Sequence, residues 1–390
     1  MKRIGQSRCI LIGLACAALT LCWQFLTVHY NYAGNWTALF CTGSNMRQPP
    51  QLASERIFVF ANSNGYDGQA YHYIAHDPWL KKGLVAYVDV PRLRYRRILV
   101  PAIAHLLALG RDPFIDGAFI ATNLIFVFLG VYWLGLWCVR RGWKAIWGAA
   151  FLLVPATLIS IDRLTIDISL AALCVAFALF AEQERKGAVW PILAAAGLAR
   201  ETGLLLVAGY AAFLLLNGRW FRALLSTSAV FPALAWFAYV QAHTADYSDQ
   251  WASVVPLAGW VGRILHPMRY TYGGPVLVAA TLLDYAALAG MGIAIVLALR
   301  MARELKRSPA VASVVLFALL AIFISSGDVW SEVYSFGRVF TPLLLLLPLA
   351  SAASELRLHL VPMALVSPRV GLQFGTQVFG VLRGFAGRRP

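Results

Sequence analysis

Charge is what this sequence has least of. Only 13% of its 390 residues are Asp, Glu, Lys or Arg, while 60% are hydrophobic and the mean hydropathy is +0.67. A water-soluble domain carries about 25% charged residues, so the composition excludes an ordinary soluble enzyme. Acidic residues are scarcer still: 18 stand against 33 Lys and Arg, for a formal net charge of +15. That excess does not indicate a nucleic-acid partner, because the basic residues fall in short clusters between apolar blocks, the pattern of loops that face anionic lipid. Cysteine is sparse. Cys9, Cys16, Cys22, Cys138 and Cys174 lie in or beside apolar blocks and only Cys41 in a long polar segment, with no CxxC or Cys/His spacing. That pattern gives no disulfide framework and no zinc motif. The sequence has no phosphate-cradling glycine-rich loop, no low-complexity linker and no internal repeat.

Apolar blocks are what it has in plenty. They run for about 15–25 residues, the length that crosses a hydrocarbon core of about 30 Å. The expected fold is therefore an all-α polytopic membrane protein with about ten transmembrane helices. The first block, Cys9 to Tyr30, follows Lys2, Arg3 and Arg8. It is long for a signal peptide and lacks a small-x-small exit, so it reads as an uncleaved anchor. The remaining spans are expected at about Asp116–Cys138, Ala145–Ile161, Leu164–Ala181, Val189–Ala199, Gly203–Leu216, Ala223–Gln241, Pro275–Leu299, Ala310–Ser325 and Val339–Ala353. Arg97–Leu109 is apolar but short and reads as a helix on the membrane surface. Counting it as a span would put Arg140, Arg141 and Lys144 outside.

Alternation then sets the sides. Basic residues (Arg140, Arg141, Lys144; Arg219, Arg222; Arg300, Arg303, Lys306, Arg307) mark the short inner loops, and only the Glu182–Lys186 loop is balanced by acids. About 13 of the 18 acidic residues fall outside. The expected organisation is one transmembrane domain over residues 1–353, with a first extracytoplasmic loop at 31–115, and a basic cytoplasmic tail over 354–390 that includes Arg383, Arg388 and Arg389. Both termini are expected in the cytoplasm.

Candidate chemistry gathers on the outer side. Gly65-Tyr-Asp-Gly68 places Asp67 at a turn before a helix, where its carboxylate caps the helix or faces a cleft. Aromatic residues Tyr71, Tyr73 and Trp79 follow, then Arg92, Arg94, Arg96 and Arg97. An interfacial helix with a capping Asp is the plain alternative. Asp162, Arg163 and Asp167 share the third-to-fourth turn, Arg200-Glu201 breaks the fifth and sixth helices, and Asp328, Glu332 and Arg338 precede the tenth. Taken singly, each is a loop charge. Arg200-Glu201 stands out, because charge in an apolar region costs about 2.5–3.5 kcal/mol per residue at the membrane centre. Together they would form a cleft with a base and several cations, suited to an anionic phosphate near the headgroups. His72 and His76, four apart with Asp77 adjacent, offer an i,i+4 pair that could hold an ion. Two interfacial histidines are the commoner arrangement, and no metal ligand is assigned.

The run Tyr66-Asp67-Gly68-x-x-Tyr71-x-x-Ile74-Ala75 resembles the Trp-Asp-Gly-x-x-Tyr-x-x-Ile-Ala signature of PIG-V-like mannosyltransferases, and is similar to bacterial cell-surface glycopolymer membrane proteins. Gly197-Leu-Ala-Arg200-Glu-Thr-Gly203-Leu resembles their Thr-Arg-x-x-Gly-Leu break, and Arg97-Ile-Leu-Val-Pro101 their Phe-Pro-Leu-Tyr-Pro segment. The resemblance covers mainly residues 60–215, with Tyr66 in place of the usual Trp and Glu201 at a position commonly Pro or neutral.

The resemblance implies a GT-C-type glycosyltransferase in a bacterial inner membrane. Such an enzyme moves a hexose or mannose-like sugar from a polyprenyl-phosphate donor to an extracytoplasmic glycan or lipid acceptor, with inversion. It implies Asp67 as the base. Arg97, Arg200 or Arg338 would hold the phosphate, and Tyr66, Tyr71, Glu201, Asp162 and Arg163 would line the substrate site. No cofactor is assigned; a divalent cation is left open, since some members of such families use one. A transporter or flippase of an anionic lipid-linked substrate is the alternative, and would place its charges near the midplane, often in repeats. Here the charges gather at one surface and no repeat is visible; Asp284, inside the eighth span near its outer end, is the main exception. A non-enzymatic component of polysaccharide assembly is the third reading.

Overall fold

The computed structural model describes residues 2–183, 186–246, 251–271 and 273–386. Glu184, Arg185, Arg388 and Arg389, named above in loop and tail, lie outside them. Helix α1 (Lys2–Asn31) leads into a polar segment, within which a two-residue parallel pairing joins β1 (Thr42–Gly43) to β2 (Val59–Phe60). Short helices α2 (Asp67–His76), α3 (Pro91–Arg96) and α4 (Leu99–Leu107) precede α5 (Asp112–Arg140). A 3-10 helix over Ala145–Leu153 continues into α6 (Pro155–Arg163), followed by α7 (Asp167–Ala181), α8 (Lys186–Ala199) and α9 (Leu204–Leu216). Next come α10 (Trp220–Thr227), α11 (Phe231–His243), α12 (Ala258–Leu265), α13 (Gly274–Met301) and α14 (Pro309–Phe323). The chain ends through α15 (Gly327–Trp330), α16 (Val333–Val339), α17 (Thr341–Ala350), α18 (Leu356–Leu372) and α19 (Gly375–Phe385).

Proline sets many of these boundaries. It occupies the first turn of α3, α5, α6, α11, α13, α14 and α17, where a missing N–H costs nothing. Val154, before Pro155, is forced extended (ψ 132°), and the two halves of that segment meet at 64°. A second bend of 49° separates α16 from α17, just before Pro342.

Among the described residues, four helices are long and apolar enough to cross a membrane: Gly5–Asn31, Asp112–Arg140, Trp220–His243 and Gly274–Glu304. Counting each bent pair as one span raises the number to six. The apolar helices Asp167–Ala181, Gly187–Ala199, Glu201–Leu216 and Pro309–Phe323 are shorter. Each of these helical segments overlaps an apolar block of the sequence; length and composition carry four to six crossings among the described residues. Leu11, Leu14, Leu19 and Phe25 on α1, Phe221, Leu224, Phe231 and Leu234 on α10–α11, and Val276, Val278 and Leu282 on α13 are exposed. An apolar surface of that kind suits contact with lipid.

The C-terminal segment differs from expectation. Residues 354–390 read as a basic tail, yet α18 packs along α13 and α19 against α1. Arg369, buried, pairs with Asp284 at 2.8 Å and lies over the ring of Tyr270. The Asn31 side chain donates to Gln377 O, and Gly384 packs on the ring of Tyr30. The described C-terminal residues therefore lie at the end of the bundle where α1 finishes, opposite the end where it starts. Pro362, Pro368, Arg357, His359 and Arg369 interrupt the hydropathy of α18 and hid it in the sequence. Asp284, a lone charge in the sequence, is half of an ion pair.

Candidate functional site

Glycine geometry positions Asp67. Gly65 has φ +73°, which an L side chain rarely adopts, and a Cβ on Gly68 would lie 2.3 Å from the Arg163 carbonyl oxygen. The turn therefore tucks α2 against Phe40 and Arg163. Tyr66 precedes the helix in extended conformation without capping it, and Tyr66 N–H donates to Cys41 O at 2.9 Å. The Gln69 side chain accepts from Gly43 N–H and donates to Asn64 O. Asp67 is the first residue of α2. Its carboxylate faces a cavity.

That cavity, about 440 Å³, is lined by Tyr66, Asp67, Asp89, Arg94, Arg97, Arg200, Trp251, Asp328, Glu332, Ser335 and Arg338, among others. Its wall is a chain of alternating charges. Arg94 Nη1 lies 2.6 Å and Arg338 Nη1 2.5 Å from Asp67 Oδ2. Arg338 also lies 3.6 Å from Asp167 Oδ2, and Asp167 pairs with Arg200. Arg97 makes a two-point bond to Glu201 (2.9 and 2.6 Å) and donates to the Tyr71 hydroxyl. Arg94 makes a second two-point pair with Asp89 (3.0 and 2.7 Å). Burial alone would raise the Asp67 carboxyl, but the Arg338 and Arg94 guanidiniums outweigh it and hold Asp67 well below the usual carboxylate range.

Two donors in this wall are left over. The Nε–H groups of Arg338 and Arg200 are buried and donate to no described acceptor. Buried donors are nearly always satisfied, so these two, one on α16 and one in the break after α8, mark a place for acceptor oxygens. Donor sets built from guanidinium groups match phosphate or carboxylate oxygens.

Of the residues expected at the site, Asp67, Tyr66, Arg97, Arg200 and Arg338 line one cavity. Glu201 and Tyr71 stand one layer behind, anchoring Arg97. Asp162 and Arg163 do not reach it. Asp162 is buried against Gln377 and the Tyr334 hydroxyl, and Arg163 donates to Asp162 and to Cys41 Sγ. Their part is to support Tyr66, whose ring lies between Arg163 (5.3 Å) and Arg338 (5.0 Å) and edge-on to Tyr334. With both cations against Tyr66, Trp251 is the cavity's other aromatic, half-exposed. Arg94 was missing from the expected set. In Arg92-x-Arg94-x-Arg96-Arg97, helical spacing puts 94 and 97 on one face. Arg92 pairs instead with Asp246, and Arg96 lies over Phe237.

The other face of α2 carries a second cluster. His72 and His76, both fully buried, meet Glu55 and Asp116. Asp77, the neighbour expected to join them, instead accepts the backbone N–H groups of Lys81, Lys82 and Leu84.

No protein-family model, curated protein or solved structure matches this chain.

Proposed function

We propose that the chain is a membrane-embedded glycosyltransferase of GT-C type. In this reading it takes its sugar from a polyprenyl-phosphate donor and passes it to an acceptor hydroxyl in the Asp67 cavity. The observation that carries the reading is the sharing of one cavity by a buried carboxylate and four arginines, two of which hold unsatisfied N–H donors. The sequence resemblance around Asp67 supplies the reaction class.

In this mechanism the donor phosphate accepts from the free Nε–H groups of Arg338 and Arg200 and draws Arg338 and Arg94 away from Asp67. Losing those partners returns Asp67 toward ordinary basicity, so donor binding itself arms the base. The acceptor oxygen attacks the anomeric carbon opposite the phosphate. Its proton passes to the Asp67 carboxylate, the C–O bond to phosphate breaks, and the electron pair leaves with the phosphate, whose charge the arginines stabilise. Attack from that side inverts the anomeric centre. Positive-inside bookkeeping supports a cytoplasmic position for the end bearing Arg140, Arg141, Arg300 and Lys306. The cavity then faces the other side of a bacterial inner membrane. The reading takes all ten apolar segments as crossings; α18 then returns the chain, and α19 lies on the extracytoplasmic side.

The test is purified protein in lipid nanodiscs, offered a panel of polyprenyl-phosphate sugars, with polyprenyl phosphate release as readout. Release that disappears in Asp67→Asn at normal expression is expected. Undiminished release from that variant would overturn the catalytic assignment. A defect confined to lipid translocation would favour the transporter.

A further inference from the structure

We propose that Glu55, His72, His76 and Asp116 form a divalent-metal site, suited to Zn²⁺, that fastens α2 to the start of α5. The inference stands apart from the transfer reaction and does not depend on it.

The four side chains come from three parts of the chain: the end of a 3-10 helix (Pro50–Glu55), one face of α2 and the first turns of α5. One donor atom from each lies within 4.8 Å of the others. Nε2 of His72 is 2.7 Å from Asp116 Oδ1 and 3.4 Å from Glu55 Oε2. Nε2 of His76 is 3.2 Å from Glu55 Oε1 and 3.9 Å from Asp116 Oδ1. A tetrahedron with bonds of about 2.0–2.1 Å has edges of about 3.3–3.4 Å, and these separations bracket that value.

Approach without hydrogen-bond geometry is the telling feature. Both Glu55 oxygens and His76 Nε2 are buried and form no hydrogen bond despite their proximity. Among the four ligand atoms, gathered within 4.8 Å of one another, the one hydrogen bond is between His72 Nε2 and Asp116 Oδ1 at 2.7 Å. His76 Nδ1 lies 2.9 Å from Asp112 Oδ1, and Asp112 is held by Lys82 at 2.8 Å. An Nδ1–H donated to a carboxylate leaves Nε2 free as a ligand, the usual outer-layer arrangement around a metal-bound histidine. Phe40 stacks on the His72 ring at 4.1 Å and fixes its plane. Two carboxylates and two neutral imidazoles balance a dication, and this mixed nitrogen–oxygen set suits zinc. The competing state is metal-free, with the four side chains held to one another by hydrogen bonds and ion pairing alone.

The experiment strips full-length protein in detergent with a chelator, re-exposes it to Zn²⁺, and measures bound zinc by elemental analysis and affinity by chelator competition. One zinc per chain is expected, with thermal stability raised on loading. Glu55→Gln and His76→Gln should each weaken binding at least ~100-fold, and Asp112→Asn about 10–100-fold while the four ligands stay intact. Asp67→Asn should bind zinc normally, which separates this site from the arginine-lined cavity. Uptake below about a tenth of an equivalent, or uptake indifferent to Glu55→Gln and Asp112→Asn, would overturn the proposal in favour of the metal-free cluster. Should the histidine variants misfold, the two carboxylate variants, on partly exposed residues, still decide it.

Discussion

Two cavities of similar size sit at opposite ends of the bundle. The one at Asp67 measures about 440 Å³ and is walled by Arg94, Arg97, Arg200 and Arg338 against Asp67, Asp89, Asp328 and Glu332. The one at the end where α1 begins measures about 530 Å³ and is lined by Trp137, Trp143, Trp147, Leu345, Leu349 and Met363, with exposed Arg357 its only ionised group. Volume does not separate them; desolvation does. Holding an anion away from bulk water takes donors already fixed in place by counter-charges. The first cavity has such donors locked in an alternating chain, whereas the second offers aromatic surface and one solvated cation.

Substitutions can break that contrast or sharpen it. Asp67→Asn should lower sugar transfer about 10²–10⁴-fold without loss of expression, measured as polyprenyl phosphate release. Arg369→Met leaves half-buried Asp284 without its cation, bonded still by the Tyr270 hydroxyl, and should destabilise the protein by about 1–3 kcal/mol, seen in thermal melts. The double variant with Asp284→Asn should recover most of that loss. Arg338→Gln and Arg200→Gln should each raise the donor KM about 10–100-fold, and lysine at either position should restore it only in part, lacking the planar fork. Arg94→Gln should act through pH. Asp67 is depressed, so its contribution to stability is whole above the unfolded value of about 3.9 and is lost progressively as pH falls from there to the much lower folded value. Removing Arg94 raises the folded value, so the acid-induced loss should be smaller and complete at a higher pH than in the parent, read in melts across an acid series. Trp147→Ala, in the apolar cavity, should change transfer by less than about 2-fold. A large effect there would erase the distinction between the two ends.

Much of this was legible in the sequence because it rests on local pattern. Apolar block lengths gave the helix positions, and the glycines around Asp67 gave the turn at which it stands. Arg97, Arg200 and Arg338 could be picked out as charges beside apolar runs. What could not be read was pairing across the chain. Asp162 and Arg163 resemble cleft residues until Tyr334 and Gln377 are seen to claim Asp162. His72 and His76 look ordinary until Glu55 and Asp116, distant in sequence, are brought beside them. The helix α18 was hidden because its prolines and Arg369 lower its hydropathy, and Asp284 on α13 together with Tyr270 makes that arginine acceptable inside the bundle.

The placement of α18 and α19 has a consequence for synthesis. Gln377 closes the back of the wall that steadies Tyr66, and Arg369 neutralises an acid laid down some eighty-five positions earlier. A ribosome-bound chain therefore carries Asp284 unmatched until Arg369 emerges, and a chain shortened before Leu356 never acquires its counterion.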